Sequence, residues 1–129
     1  MDLKLTNKLA LVSGSTAGIG YAIAAALAGE GAQVIVNGRT QAAVDGAVAK
    51  IKSAARATVH GFAGDLGTAA AAGELVRQHP NIEILVNNLG IFEPKPFEQI
   101  PDADWVRFFE VNVLSGVRLS RAYVAGMKQ

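Results

Sequence analysis

Short apolar runs alternate along this chain with stretches in which apolar residues recur at helical spacing. Leu9 to Ser13 (L-A-L-V-S) follows a polar start and reads as a buried strand. Beyond a glycine-rich stretch, Ile19, Ile23 and Leu27 fall at i, i+4 and i+8 among alanines, which predicts one apolar helix face, with Gly29 and Gly31 as stop signals. Gln33 to Asn37 is a second strand, rich in β-branched residues. Thr40 is placed to cap a second helix in which Val44, Val48 and Ile51 share a face. Ala57 to Phe62 reads as a third strand, and Thr68 as the cap of an alanine-rich third helix ending at Pro80. Ile82 to Asn87 is a fourth strand. After a loop with Pro94 and Pro96, Pro101 and Asp102 open a helical segment containing Trp105, Phe108 and Phe109, which runs on to Met127 with room for a break. Val113, Val117, Val124 and Met127 make a stripe along it, interrupted only by Ser120 and expected to lie in the core.

Strands and helices thus alternate at βαβ spacing, which predicts an α/β fold. The strands are mostly continuous apolar runs, as needed where helices cover both faces of a sheet. Crossover connections then make the sheet parallel, with expected strand order 3-2-1-4. That is one half of a doubly wound Rossmann sheet plus the first strand beyond its switch point. The 129 residues suit a single domain, incomplete by the measure of that fold.

Composition narrows the function classes. The formal net charge is +1, with 18% charged residues, and no basic run marks a nucleic-acid or anionic-membrane surface. No apolar run approaches a membrane span, and the start (M-D-L-K-L-T-N-K) lacks the apolar core of a secretion signal. The expectation is a soluble cytoplasmic protein with no nucleic-acid or membrane partner. There is no cysteine, so disulfides, a thiolate nucleophile and cysteine-ligated metal are excluded within these residues.

Gly14-Ser15-Thr16-Ala17-Gly18-Ile19-Gly20 lies between a predicted strand and a predicted helix. A phosphate needs exposed backbone N–H groups, close approach and a helix N-terminus. Glycines allow the approach because they have no Cβ. No Gly-Lys-Ser/Thr follows, so this is not a P-loop. The alternative, a glycine-rich turn that merely packs tightly, fits three glycines in this context poorly.

The loop resembles the T-G-x-x-x-G-I-G pattern of the short-chain dehydrogenase/reductase family, with Ser13 in place of the leading threonine. Asp65-Leu66 after the third strand, Asn87-Asn88-Leu89-Gly90 after the fourth and Asn112 within V-N-V follow in that family's order. The resemblance covers essentially the whole chain. It implies that Gly14, Gly18, Ile19 and Gly20 line the pyrophosphate of a nicotinamide dinucleotide, that Asp65 and Leu66 flank the adenine, and that Asn88, Leu89 and Gly90 lie near the ribose. Read blandly, Asp65 is a turn residue, Leu66 a core residue, and Asn87 and Asn88 satisfy backbone at a strand end. Leu89 stands where the family usually has alanine and puts a bulkier side chain at the cofactor edge. The family's helix corresponding to the Val113–Met127 stripe also packs on a partner subunit, so a homo-oligomer is expected and part of the stripe is a candidate interface.

Cofactor choice turns on the end of the second strand, where an NAD site carries a carboxylate for the ribose 2′-hydroxyl. Here the residues are Asn37-Gly38-Arg39-Thr40. Arg39 can pair with a 2′-phosphate through a charge-assisted fork, and Ser15 and Thr16 can add hydroxyls, which favours NADP(H) over NAD(H). A solvated arginine at a helix start is the plainer alternative. His60 and His79, 19 positions apart and without ligand spacing, read as a strand residue and a helix-end residue, and no metal is expected. Lys95 reads as a surface-loop residue.

The family's catalytic set is Asn, Ser, Tyr and Lys, the last two as Tyr-x-x-x-Lys. Asn112 corresponds to the first, where it would position a water for proton relay. Tyr21 is followed four places on by Ala25 and Tyr123 by Met127, and Ser115 and Ser120 lie on the last helix rather than after a fifth strand. The chain therefore reads as the N-terminal portion of an oxidoreductase of small carbonyl or alcohol substrates, inactive alone and prone to pair through the unprotected edge of its fourth strand. A dinucleotide-binding module without turnover and a self-associating structural fragment remain open beside it.

Overall fold

A computed structural model describes residues 1–129. Four parallel strands, β1 (Leu9–Val12), β2 (Gln33–Gly38), β3 (Val59–Ala63) and β4 (Ile84–Val86), form one sheet in the order β3-β2-β1-β4. Helices α1 (Gly18–Gly29), α2 (Gln41–Ala54) and α3 (Ala69–Gln78) connect them. After β4, a short 3-10 turn (Phe97–Gln99) leads into α4 (Asp102–Phe109) and α5 (Ser115–Met127), joined by a π-helical turn over Glu110–Leu114. The predicted order and α/β class are those observed. The fourth strand is shorter than its apolar run suggests.

Strand alternation sends side chains to two cores. Leu11 and Ile35 face α3 and α5, where Phe62, Leu75, Leu119 and Tyr123 join them. Val12, Val34 and Val36 face α1 and α2, against Ala24, Ala28, Ala47 and Ile51. The register sets Leu11 beside Ile35 and Leu85, so each layer is continuous across the sheet. Thr40 and Thr68 cap as predicted, their hydroxyls accepting from the backbone N–H of Ala43 and Ala71 at 3.3 Å.

Two helix faces differ from the sequence expectation. In α1 the fully buried residues are Gly20, Ala24 and Ala28, one position round from the Ile19, Ile23, Leu27 stripe. Ile19 is 76% exposed, while Ile23 and Leu27 pack only at the margin of the core. The cause is the approach of α1 to the sheet: a Cβ on Gly20 would overlap the Gly14 carbonyl oxygen and the Asn88 amide nitrogen, so only small residues fit that side. In α5 the buried positions are Ser115, Leu119 and Tyr123. Val113, Val117, Val124 and Met127 stay exposed, together with Val106 and Phe109 of α4. The predicted stripe is real but lies outside the core of this chain, because α5 rests on the sheet through its other face. The break foreseen in the long helix is the π turn, in which the Ser115 N–H reaches back five residues to the Glu110 carbonyl.

Candidate cofactor and active site

The carboxyl ends of β1 and β4 lie at the switch point of the strand order, where ligands of open α/β sheets bind. The loop of residues 14–17 leaves β1 there and enters α1. Gly18, at φ +60°, adopts a left-handed conformation that glycine tolerates, and nothing lies within 4 Å of where its Cβ would be. Ala17 supplies no side-chain cap to α1 and the first turn carries no acidic residue. The N–H groups of that turn, which a helix cannot satisfy internally, thus have no side-chain partner, an arrangement suited to an anion. Exposed Ile19 lies in that turn and buried Gly20 seats the helix.

A side chain that sequence reasoning did not single out holds this loop. Asn37, the penultimate residue of β2, is 1% exposed. Its Oδ1 accepts from the Gly14 N–H at 2.9 Å, and its Nδ2 donates to the carbonyls of Phe62 (3.2 Å) and Gly64 (3.1 Å). One amide thus ties the turns after β1 and β3 to β2. Its only sequence signal is a polar residue at the end of an apolar strand.

Ser15 departs from expectation. It is fully buried, its hydroxyl donating to the Val12 carbonyl at 2.7 Å and accepting from the Asn37 N–H at 2.9 Å. That hydroxyl is spent inside the protein and does not face a phosphate, because the loop needs it to join β1 to β2. Thr16 is half-buried and rests against Gly38. Ser13 accepts from the N–H groups of both Asn88 and Leu89 at 3.0 Å. The Asn88 amide donates to the carbonyls of Ser13 (3.2 Å) and Gly14 (3.0 Å). Leu89 packs on Gly14. The strand-end role of Asn88 is thus present, and it shapes the cleft.

Two adjoining cavities run along the strand ends. One, about 170 Å³, is walled by Gly14, Thr16, Gly38, Arg39, Asp65 and Leu89, among others. The second, about 320 Å³, shares Arg39, Asp65 and Leu89 and adds Gly90, Ile91, Arg107 and Val111. Arg39 is exposed at the rim and enters no ion pair within 4.0 Å. Asp65 holds its own turn, its Oδ1 accepting from the Gly67 N–H at 2.9 Å, while Leu66 is buried in the core and still reaches the smaller cavity.

Asn112 lies in the π turn. Its Oδ1 accepts from the Ile91 N–H at 2.7 Å and its Nδ2 donates to the Ile91 carbonyl at 3.1 Å. Both ends of the amide therefore clamp the strand-end loop to the helix beside Gly90. Arg118, 16% exposed, fastens α5 to the Asp65 turn by donating to the Gly67 carbonyl (3.1 Å) and to Glu110 (2.8 Å).

The remaining hydroxyls hold structure together. Ser115 donates to the Val111 carbonyl at 2.6 Å, and Ser120 accepts from Asn87 at 3.1 Å. Tyr123 donates to the His79 carbonyl at 2.7 Å, and burial raises its pKa. Lys95 is more than a loop residue: it bridges Asp104 (2.6 Å) and Glu93 (3.2 Å), and those two contacts raise its pKa, Asp104 the more. His60 and His79 come together with ring centroids 5.6 Å apart, a meeting that their separation in sequence conceals. No group of three or more His, Cys, Asp or Glu side chains is gathered as for a metal, and no helix is long and apolar enough to cross a membrane.

The architecture matches known proteins throughout. The family model for short chain dehydrogenases matches residues 8–129. The oxidoreductase YvaG of Bacillus subtilis is 52% identical over 128 residues, covering 98% of this chain and 48% of the relative. D-beta-hydroxybutyrate dehydrogenase of Cupriavidus necator is 39% identical over 130 residues, covering 97% and 50%. Among solved structures, L-sorbose reductase of Gluconobacter frateurii, complexed with NADPH and L-sorbose, superposes with a TM-score of 0.93 at 32% identity, over 99% of this chain and 50% of that one. The chain spans about half the length of the curated relatives it matches. With the sheet order, the glycine loop and the asparagine clamp all in place, this chain belongs to the short-chain dehydrogenase family.

Proposed function

We propose that the chain is the cofactor-binding portion of an NADP(H)-dependent oxidoreductase that interconverts small carbonyl and alcohol substrates. The observation that carries the 2′-phosphate preference is Arg39: it lines both cavities at the end of β2, where no carboxylate stands to receive a ribose 2′-hydroxyl. The NADPH held by L-sorbose reductase supports the same reading by likeness. The open space at Gly18 and the uncapped first turn of α1 fit a pyrophosphate, with Gly14, Ile19 and Gly20 around it. Thr16 and Arg39 would hold the 2′-phosphate, Asp65 and Leu66 the adenine, and Asn88, Leu89 and Gly90 the ribose side of the cleft.

A nicotinamide dinucleotide held by these residues would supply or accept the hydride. Asn112 keeps the loop at Gly90 and Ile91 in register with the helix. A proton donor must come from elsewhere, because the Tyr123 hydroxyl is buried against His79 and Ser115 and Ser120 are committed to structure. We therefore expect residues 1–129 alone to show no ketone- or aldehyde-dependent NADPH oxidation. Association through the exposed Val113–Val117–Val124 face with a second copy belongs to the same proposal, and light scattering tests it.

The deciding experiment is titration of NADPH and NADH against the chain and against Arg39→Asp. Loss of one charge-assisted contact should cost roughly 1.5–3 kcal/mol of NADPH affinity. Equal binding of both nucleotides by the unaltered chain, or an unchanged preference in Arg39→Asp, refutes the assignment.

A further inference from the structure

The larger cavity carries a cation that the cofactor reading above leaves unused. Arg39 and Asp65 in its wall offset one another in charge, and Arg107 is the further cation in that wall. A phosphomonoester carries close to two negative charges at neutral pH. Arg107 lies on α4, one helical turn before Val111, which lines the same cavity.

Arg107 is also held in a way that allows it to move. Its Nη1 lies 3.2 Å from Glu93 Oε2, and its side chain is 55% exposed. Glu93 does not depend on this contact, because Lys95 Nζ lies 3.2 Å from its other oxygen. Lys95 is the larger cause of the lowered Glu93 pKa, and Lys95 is itself anchored on Asp104 at 2.6 Å. Arg107 can therefore leave without stranding a bare carboxylate. Ion pairs this exposed are weak, so an incoming dianion competes for the guanidinium on favourable terms.

We propose that Arg107 is a second positioning residue for the adenosine end of the cofactor, released from Glu93 to face the 2′-phosphate opposite Arg39. The inference rests on the dinucleotide reading given above. It makes selection for the 2′-phosphate a property of two elements, the end of β2 and the start of the long helix.

The test uses ligands that carry only the adenosine end. Calorimetric binding of 2′,5′-ADP and of 5′-AMP is measured on the chain and on Arg107→Gln, Arg107→Lys and Glu93→Gln, with circular dichroism to confirm that each is folded. Arg107→Gln should weaken 2′,5′-ADP about threefold to fivefold while changing 5′-AMP by less than about twofold. Arg107→Lys should restore most of the loss, and Glu93→Gln should tighten 2′,5′-ADP by freeing the guanidinium. The difference between Arg107→Gln and the unaltered chain should shrink as salt is raised. Unchanged 2′,5′-ADP affinity in Arg107→Gln, or an equal loss for both ligands, overturns the inference while leaving the dinucleotide reading intact. Failure of the unaltered chain to bind either ligand overturns both.

Discussion

Replacing Asn37 with alanine should damage both the stability and the cleft of this protein. The side chain is 1% exposed and makes three hydrogen bonds, to the Gly14 N–H and to the carbonyls of Phe62 and Gly64. A typical net contribution of about 1 kcal/mol per bond puts the loss at about 3 kcal/mol. The cost rises where water cannot reach the abandoned partners. The Phe62 carbonyl belongs to a buried residue and is the costly one, whereas Gly14 and Gly64 are half-buried and can be partly resolvated. For a chain of 129 residues, about 3 kcal/mol corresponds to a fall in Tm of roughly 10 °C. Asn37→Asp should fare no better at neutral pH: its carboxylate can still accept from Gly14, but it turns a negative oxygen toward two carbonyls in a buried place. Urea unfolding followed by circular dichroism gives the stability, and NADPH titration on the folded fraction reports the loop. A loss below about 1 kcal/mol in Asn37→Ala, with unchanged nucleotide affinity, would refute the claim that this amide organises the glycine loop.

Two glycines of the loop should respond differently. Gly20→Ala places a Cβ against the Gly14 carbonyl and the Asn88 amide, so it should destabilise the fold itself. Gly18→Ala meets nothing within 4 Å and should lose only about 1–2 kcal/mol through its positive φ, while nucleotide affinity falls sharply; equal unfolding midpoints for the two variants would contradict this. His79 has a pKa lowered below 6.5, by burial first and by the nearby His60 second. The unfolded chain therefore takes up a proton at a higher pH than the folded one. The stability contributed by the neutral ring is complete above about pH 6.5 and is lost as the pH falls through the lowered value. Unfolding midpoints measured at about pH 7.5 and about pH 5.5 should differ less in His79→Gln than in the unaltered chain, and an identical difference would remove His79 as the source.

Much of the architecture was legible in the residues alone. Four apolar runs separated by helical periodicity impose a parallel sheet, because strands buried on both faces need helices on both sides. Thr40 and Thr68 cap where their types demand, since capping is a local interaction over three residues. The glycine spacing and Arg39 marked stretches that line the strand-end cavities, because backbone approach and charge are carried by residue type, whereas Asn112 came only from the family resemblance.

What the sequence left undetermined depends on contacts between distant segments. Which face of α1 is buried was decided by how closely that helix must approach the loop it follows, and that distance favours alanine and glycine over the isoleucine stripe. The valines of α5 look like core by periodicity, yet Leu119 and Tyr123 take the sheet, because a helix has two apolar sides here and only the packing chooses between them. Ser15 reads as a phosphate ligand until β2 arrives beside it and claims its hydroxyl. Asn37 joins turns 23 and 27 residues away, and His60 meets His79 across the layer. Hydrogen bonds and charges act over a few ångströms of space, so residue type and spacing reveal them only where the chain stays local. Where the tertiary fold brings remote turns together, it alone decides which polar groups are spent within the protein and which are left to meet a ligand.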